Sequence, residues 1–252
     1  AVAPRPASLA VSGALGAASP RPWSRSLALG FDGPAGAALQ EEAAARARDV
    51  ADLAASAALF GRRPYGGLCV QRGAVGGRLL QQMHREAKTC QSKGWLGRNG
   101  QEEEGRGDAV CFVGLREAAA SGMPALACGV ALLSAICAQL SRRRPVGTRP
   151  LQPGPVQLAC YDRGAAYRVH RDSHRIEDMD SGTVPDWALD EVAARSITAV
   201  LYLQPRWSAD WGGAFRAHAA AVDEGAAPGG HVDVQPQGGT LLLFRSRDLA
   251  HE

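Results

Sequence analysis

The chain has 252 residues, and its 28 lysines and arginines nearly balance 25 aspartates and glutamates, which leaves a net charge of +3. A chain of this length can bury a sizeable core, and the balanced charge gives no overall attraction to nucleic acid or membrane. The six cysteines are scattered without a CxxC pair or a Cys/His cluster, so zinc spacing is absent and a disulfide framework is unexpected. We expect reduced, mostly buried thiols and an intracellular location, cytoplasmic or nuclear.

The first sixty residues differ in composition from the rest. Residues 1–31 contain no acid, three arginines and many alanines and serines, which is typical of a transit peptide or of a disordered Ala/Pro-rich extension. Organellar targeting by this stretch is therefore an open alternative. Residues 37–60 are rich in alanine and predict an exposed or marginal helix. We predict an N-terminal extension over residues 1–60, partly disordered or helical, and a folded domain over residues 61–252.

Two helices are predicted at the start of the domain. Residues 75–93 show the periodicity of an amphipathic helix. Residues 94–107 form a polar loop, and residues 109–113 predict a short apolar strand. Residues 123–140 run without a charge and reach the length of a membrane span. Because Pro124 and Gly129 interrupt this run, we interpret it as a core helix beneath a sheet.

From Val156 onward the pattern changes to short apolar runs separated by turns. Many short strands at such spacing favour a β-sandwich or barrel. The helices come first and an antiparallel β unit follows, so the fold class is α+β. The predicted strands are residues 156–161, 167–170, 197–203, 214–217, 231–234 and 240–244.

The residues most suggestive of chemistry are His170 and Asp172, together with His251 far downstream. A histidine and a carboxylate two residues apart on a strand point to the same face. A second imidazole from a later strand completes a two-His, one-carboxylate set, which binds Fe(II) and leaves coordination positions open. Taken alone, a His-x-Asp pair is more often a surface or structural pair. The other candidate ligands are His84, His174, His218 and His231, of which we interpret the last two as solvated.

Several motifs in register resemble the 2-oxoglutarate/Fe(II)-dependent prolyl 4-hydroxylases, most closely the hypoxia-inducible-factor (HIF) prolyl hydroxylase type. They lie in order along residues 66–252 of this chain. The matching stretches are Gly67–Val70, Arg106–Asp108, Val156–Tyr161 with Gly164 and Tyr167, His170–Asp172, Arg195–Leu203 with Trp207 and Gly212-Gly213, and Pro236 with Leu241–Phe244 and Ser246–Glu252.

The resemblance implies a double-stranded β-helix (jelly-roll) core with supporting N-terminal helices. It implies that His170, Asp172 and His251 hold the iron. By the same similarity, Tyr202 binds the distal carboxylate of 2-oxoglutarate and Tyr161 reaches into the same pocket. Asp108 and Arg195 are implied at the substrate cleft, although the alternative for Asp108 is a plain turn.

The implied reaction hydroxylates C4 of prolyl residues in a protein substrate, using O₂ and converting 2-oxoglutarate to succinate and CO₂. Fe(II) is the implied cofactor, ascorbate is expected to maintain it, and oxygen sensing is the role of the HIF type. Two alternatives remain open. One is a dioxygenase of the same fold with a different substrate, and the other is a catalytically inactive metal-binding β-helix.

The sequence departs from the family pattern in three places. The family carries a basic anchor for the distal carboxylate on the strand after the second histidine, and this chain ends at Glu252. We therefore expect the last strands to be missing and co-substrate binding to be weakened by ~2–5 kcal/mol, the cost of losing one partner of a buried charge pair. Residues 173–194 form a long insert that leaves the substrate identity open, and residues 94–105 are short and acidic where relatives have a substrate-gripping loop.

Overall fold

The computed structural model describes residues 8–16, 67–98, 106–144, 150–173, 195–219 and 230–252. The predicted helix over residues 37–60 lies outside the described residues. So do residues 174–194 of the insert, which include the candidate ligand His174, and residues 99–105 of the acidic loop.

Within the described residues, three helices cover one face of the large sheet, and they confirm both predicted helical segments. They are α1 (Gly77–Ser92), α2 (Leu115–Ala120) and α3 (Pro124–Arg143). The buried side chains of α1 include Leu80, Met83 and Ala87, whose spacing places them on one stripe. The stripe packs against α3.

Helix α3 lies in the core between α1 and the sheet. In the described part of the chain it is the one helix long and apolar enough to cross a membrane, and most of that stretch is buried inside the protein. Its first turn is capped from α1, because the buried carboxylate of Glu86 accepts a 2.8 Å hydrogen bond from the Leu126 amide. That amide has no partner within its own helix. The structure therefore agrees with the predicted core helix.

The described strands form two antiparallel sheets. The large sheet contains β1 (Ser8–Gly16), β2 (Cys69–Gln71), β3 (Gly97–Arg98), β4 (Ala109–Phe112), β5 (Gln152–Tyr161), β6 (Arg195–Tyr202) and β9 (Leu241–Arg245), in the order β2-β9-β6-β1-β5-β4-β3. The small sheet contains β7 (Phe215–His218), β8 (His231–Val234) and β10 (Ala250–His251), in the order β10-β7-β8. A 3₁₀ turn, Ala209–Trp211, precedes β7.

Alternation along β6 separates two hydrophobic cores. Ile197, Ala199 and Leu201 pack into the core on the helix side. Val200 and Tyr202 pack into the second core, which lies between the large and small sheets. Because successive side chains of a strand point to opposite faces, the odd-numbered residues of this stretch face the helices and the even-numbered ones face the small sheet. The predicted α+β arrangement is thus observed, with the polar site on the face toward the small sheet.

Residues 8–16 belong to the large sheet, although their composition predicts an extension. Strand β1 lies in the middle of that sheet. It pairs with β5 from Ser8 opposite Tyr161 to Gly16 opposite Gln152. It pairs on its other side with β6, with Ala10 opposite Tyr202. The predicted boundary at residue 60 therefore does not hold for these residues, because their backbone completes the sheet of the domain.

The predicted strand over residues 167–170 does not form in the structure. Only two isolated bridges form here, Arg106 with Tyr167 and His170 with His251. Asp172 lies beyond the second bridge, in a bend. Residues 167–170 form no regular strand because the run is only four residues long and Arg168 interrupts it. The expected missing strands after Glu252 stay a prediction.

Candidate metal centre

Backbone pairing brings the three predicted ligands together. His170 and His251 exchange two main-chain hydrogen bonds of 2.9 Å each, which places their rings side by side with centroids 4.2 Å apart. The Ser173 amide donates to the Ser246 carbonyl at 3.2 Å and thereby holds the segment after Asp172 against the end of β9. Residues far apart in sequence thus meet at one point.

The side chains of His170, Asp172 and His251 form one cluster, as predicted. Their ligand atoms all lie within 4.8 Å of one another, and no other such group occurs among the residues that the structure describes. Asp172 Oδ1 lies 3.3 Å from His170 Nε2 and 3.8 Å from His251 Nε2. The same oxygen and both Nε2 atoms therefore face a common point.

Main-chain carbonyls set the tautomer of both imidazoles. His170 Nδ1 lies 2.8 Å from the Arg168 carbonyl, and His251 Nδ1 lies 3.3 Å from the Leu249 carbonyl. A carbonyl only accepts hydrogen bonds, so each Nδ1 carries the proton. In the neutral rings each Nε2 then has a free lone pair, which is the arrangement that metal-binding histidines use.

Burial and charge keep the ligands in the states that metal binding needs. Burial lowers the pKa of His251 to about 4, although the Asp172 carboxylate acts in the opposite direction. For Asp172, burial raises the pKa, but the close contacts with His170 and His251, the Arg195 guanidinium and the hydrogen bond from Thr198 outweigh it and hold the pKa well below its usual range. Near neutral pH the site therefore contains a carboxylate and a neutral His251.

Aromatic rings for which the motifs predict no role in the site surround the two histidines. Tyr167 stacks on His170 with ring centroids 3.6 Å apart. Phe215 and Phe244 each lie 4.9 Å from the His251 ring. Apolar residues at these positions limit water access and restrict ring rotation. The alternation of Phe215 with charged residues in β7 was a signal that it faces inward.

The two predicted co-substrate tyrosines lie on the same side of the large sheet as the cluster. Tyr202 is buried in the second core with Phe215 and Phe244, which contact His251. Burial raises the pKa of Tyr202 well above its usual range. Burial also raises the pKa of Tyr161, with a further contribution from the Asp108 carboxylate. Both phenols are therefore neutral and able to donate a hydrogen bond.

The two predicted substrate residues occupy different positions. Asp108 is buried and is held by Arg106, whose Nε and Nη2 donate to its carboxylate at 2.6 and 2.9 Å. Arg106 also lies over the Tyr167 ring at 4.9 Å. Arg195 is partly exposed, and its Nη1 lies 4.0 Å from Asp172 Oδ1. Arg195 thus borders the cluster directly, whereas Asp108 reaches it through Arg106 and Tyr167.

The described alternative histidines do not join the cluster. His218 pairs with Glu252 at 3.3 Å on the small sheet, and His231 lies opposite it, exposed. His84 lies on α1, on the far side of the sheet. The donor set of two neutral imidazoles and one carboxylate suits a divalent first-row metal and leaves coordination positions open. The residues present therefore fit Fe(II).

Two antiparallel sheets around a shared apolar core form a fold of the jelly-roll class, and the donor set on its inner face suits a divalent first-row metal. Residues 156–252 match the family described as the 2OG-Fe(II) oxygenase superfamily. The matched segment contains all three candidate ligands, and the match confirms the resemblance that the motifs predict.

Solved structures show the same fold. The chain is similar to a prolyl-4-hydroxylase of Pseudomonas putida, with a TM-score of 0.57 and 22% identity over 81% of this chain and 89% of that one. It is also similar to a prolyl hydroxylase from Trichoplax adhaerens, in complex with a hypoxia inducible factor oxygen degradation domain peptide fragment. Here the TM-score is 0.55 and the identity 18%, over 84% of this chain and 83% of that one. No curated protein matches the chain significantly.

Proposed function

We propose that the protein is a prolyl 4-hydroxylase acting on a protein substrate. The observation that carries the proposal is the His170, Asp172 and His251 cluster inside a jelly-roll fold. The overall reaction inserts one oxygen atom of O₂ into the C4–H bond of a prolyl residue. The second oxygen atom enters succinate as 2-oxoglutarate loses CO₂.

The chain's own residues bind and orient the reactants. When bound, Fe(II) supplies the redox chemistry that couples decarboxylation of 2-oxoglutarate to hydroxylation. His170, Asp172 and His251 would hold the ion and would leave coordination positions open for the reactants. The neutral phenols of Tyr202 and Tyr161 donate hydrogen bonds to the carboxylates of 2-oxoglutarate. The rings of Phe215 and Phe244 keep water away from the His251 side.

The substrate edge of the site is formed by Arg195 and by the Arg106–Asp108 pair. Arg195 is partly exposed beside Asp172 and is placed to contact a peptide that approaches the cluster. Asp108 contributes by holding Arg106 against Tyr167. The complex of the Trichoplax adhaerens relative with a peptide supports a protein substrate. Dependence on ascorbate and a role in oxygen sensing are parts of the same proposal.

The test is an assay of the full chain with Fe(II), 2-oxoglutarate, ascorbate and O₂ on a panel of proline-containing peptides. Succinate is quantified, and fragmentation mass spectrometry locates the added oxygen atom. We expect succinate and hydroxyproline, both lost in Asp172→Ala. Oxygen on another residue type would instead indicate a dioxygenase with a different substrate. No succinate with any peptide would favour a non-catalytic metal-binding module.

A further inference from the structure

We infer that Thr198 and Ser246 are positioning residues that keep Asp172 a ligand through one oxygen only. The Thr198 hydroxyl lies 2.6 Å from Asp172 Oδ2. The other carboxylate oxygen, Oδ1, is the one that faces both histidines and Arg195. The two oxygens therefore have separate partners. The inference rests on the metal site within the proposed function, and it is independent of the prolyl substrate.

Proton counting sets the direction of the hydrogen bonds. An ionised carboxylate only accepts, so Thr198 donates its single hydroxyl proton to Asp172 Oδ2. Thr198 and Ser246 lie with their hydroxyl oxygens 2.8 Å apart. Thr198 has no proton left to give, so Ser246 donates to Thr198. The chain runs from Ser246 through Thr198 to Asp172, and its two hydroxyl residues are almost completely buried.

Ser246 connects the separate parts of the site through its backbone as well. Its carbonyl accepts from the Ser173 amide next to Asp172, and its amide donates to the Ser196 carbonyl of β6 at 3.1 Å. Five residues further on, the chain reaches His251. The serine therefore links the Asp172 segment, strand β6 and the segment that carries the second histidine.

The hydrogen bond from Thr198 to Oδ2 limits the way in which Asp172 can coordinate an ion. A carboxylate with both oxygens free can bind an ion through both and thereby fill an additional position. With Thr198 bound to Oδ2, Asp172 offers only Oδ1, and the position stays open for reactants. Partners that orient a metal ligand in this way typically change metal affinity about 10- to 100-fold when they are removed.

The test uses Mn(II) alone, without 2-oxoglutarate or peptide. Free Mn(II) is measured by electron paramagnetic resonance, and water-proton relaxation counts the water molecules on the bound ion. We expect Thr198→Val to weaken Mn(II) binding about 10- to 100-fold and to lower the number of bound waters. Thr198→Ser keeps the hydroxyl and should restore both values. Ser246→Ala should have a smaller effect, because Thr198 retains its bond to Asp172.

The matched control is Ile197→Val. Ile197 is the neighbouring residue of β6, equally buried but on the helix side of the sheet. We expect this variant to lower the thermal midpoint without changing Mn(II) affinity or bound water. Equal affinity and water number in Thr198→Val and the unaltered chain would overturn the inference and leave the proposed function intact. Failure of the unaltered chain to bind Mn(II) would overturn both.

Discussion

At the scale of single residues, the site depends on which proton each group carries. The carbonyls of Arg168 and Leu249 hold the protons of His170 and His251 on Nδ1, so that both Nε2 atoms face Asp172. Burial keeps His251 neutral, with a pKa of about 4. The metal-binding state is therefore a property of the folded backbone as much as of the three side chains.

Tyr202 offers the most direct residue-scale test of co-substrate binding. Tyr202→Phe removes only the hydroxyl and keeps the ring in the core with Phe215 and Phe244. A hydrogen bond to a charged group contributes roughly 1.5–3 kcal/mol, so the concentration of 2-oxoglutarate for half-maximal succinate production should rise about 10- to 100-fold. The control is the thermal midpoint, which should change little. An unchanged 2-oxoglutarate requirement would exclude the proposed role.

The grouping of the three candidate ligands could be predicted from sequence, but the residues that support them could not. His170, Asp172 and His251 belong to a spacing and a family pattern that are visible in one dimension. Arg106, Tyr167 and Ser246 act through contacts between distant segments, which no local pattern encodes. Thr198 had a usable signal, because it is a polar residue in the otherwise apolar run that follows Ser196, and its even spacing from Tyr202 places both on the same face of the strand.

At the scale of elements, the strand β1 is the feature with the largest structural effect. It pairs with β5 and β6 at once, and it lies opposite both Tyr161 and Tyr202. Without it, the two strands that carry these tyrosines would lose their common neighbour. The composition of residues 1–31, which contain no acid and many alanines and serines, is typical of a transit peptide or a disordered extension, and such a composition gives no signal for a strand. Pairing on both sides forms the strand without such a local signal.

A proline substitution tests the role of β1. Val11→Pro places a residue without an amide in the middle of the strand, where prolines are not accommodated. We expect the thermal midpoint to fall by on the order of 10 °C, since several kcal/mol are lost in a domain of this size. The matched control is Val2→Pro, which lies before the strand. Equal midpoints for the two variants would show that β1 is not part of the stable sheet.

The helices and most strands were predictable because each has a clear period or a long apolar run. The prediction of a strand over residues 167–170 was wrong, because the chain there forms only isolated bridges to Arg106 and His251. Such bridges depend on the partner segment rather than on the local sequence. The second bridge places His170 directly against His251, so the two ligands meet without a regular strand at residues 167–170.

At the scale of the whole molecule, the large sheet separates two regions with different chemistry. The helix side is an apolar core that contains four buried thiols, and none of the six cysteines, all of which lie in the described residues, forms a disulfide. The other side contains the candidate metal ligands His170, Asp172 and His251 and the aromatic rings around them. The separation keeps the buried thiols away from the redox chemistry proposed at His170, Asp172 and His251.

The buried thiols should be unreactive in the folded protein. Burial raises the pKa of Cys137 to about 12, and burial is also the main reason that the pKa values of Cys90 and Cys160 rise to about 11. A raised pKa means less thiolate, so at pH 8 only roughly one part in a thousand or less is reactive. A disulfide reagent should label these thiols slowly in buffer and rapidly in denaturant. Rapid labelling of all six in buffer would contradict the described core.

The central claim is that His170, Asp172 and His251 form one metal site that binds 2-oxoglutarate on the ion. The most direct measurement is anaerobic addition of Fe(II) and 2-oxoglutarate to the purified chain, followed by visible absorption spectroscopy. We predict a metal-to-ligand charge-transfer band that is absent in Asp172→Ala and retained in the control Asp210→Ala, whose side chain is exposed in the 3₁₀ turn. A band of equal intensity in Asp172→Ala, or no band in the unaltered chain, would contradict the claim.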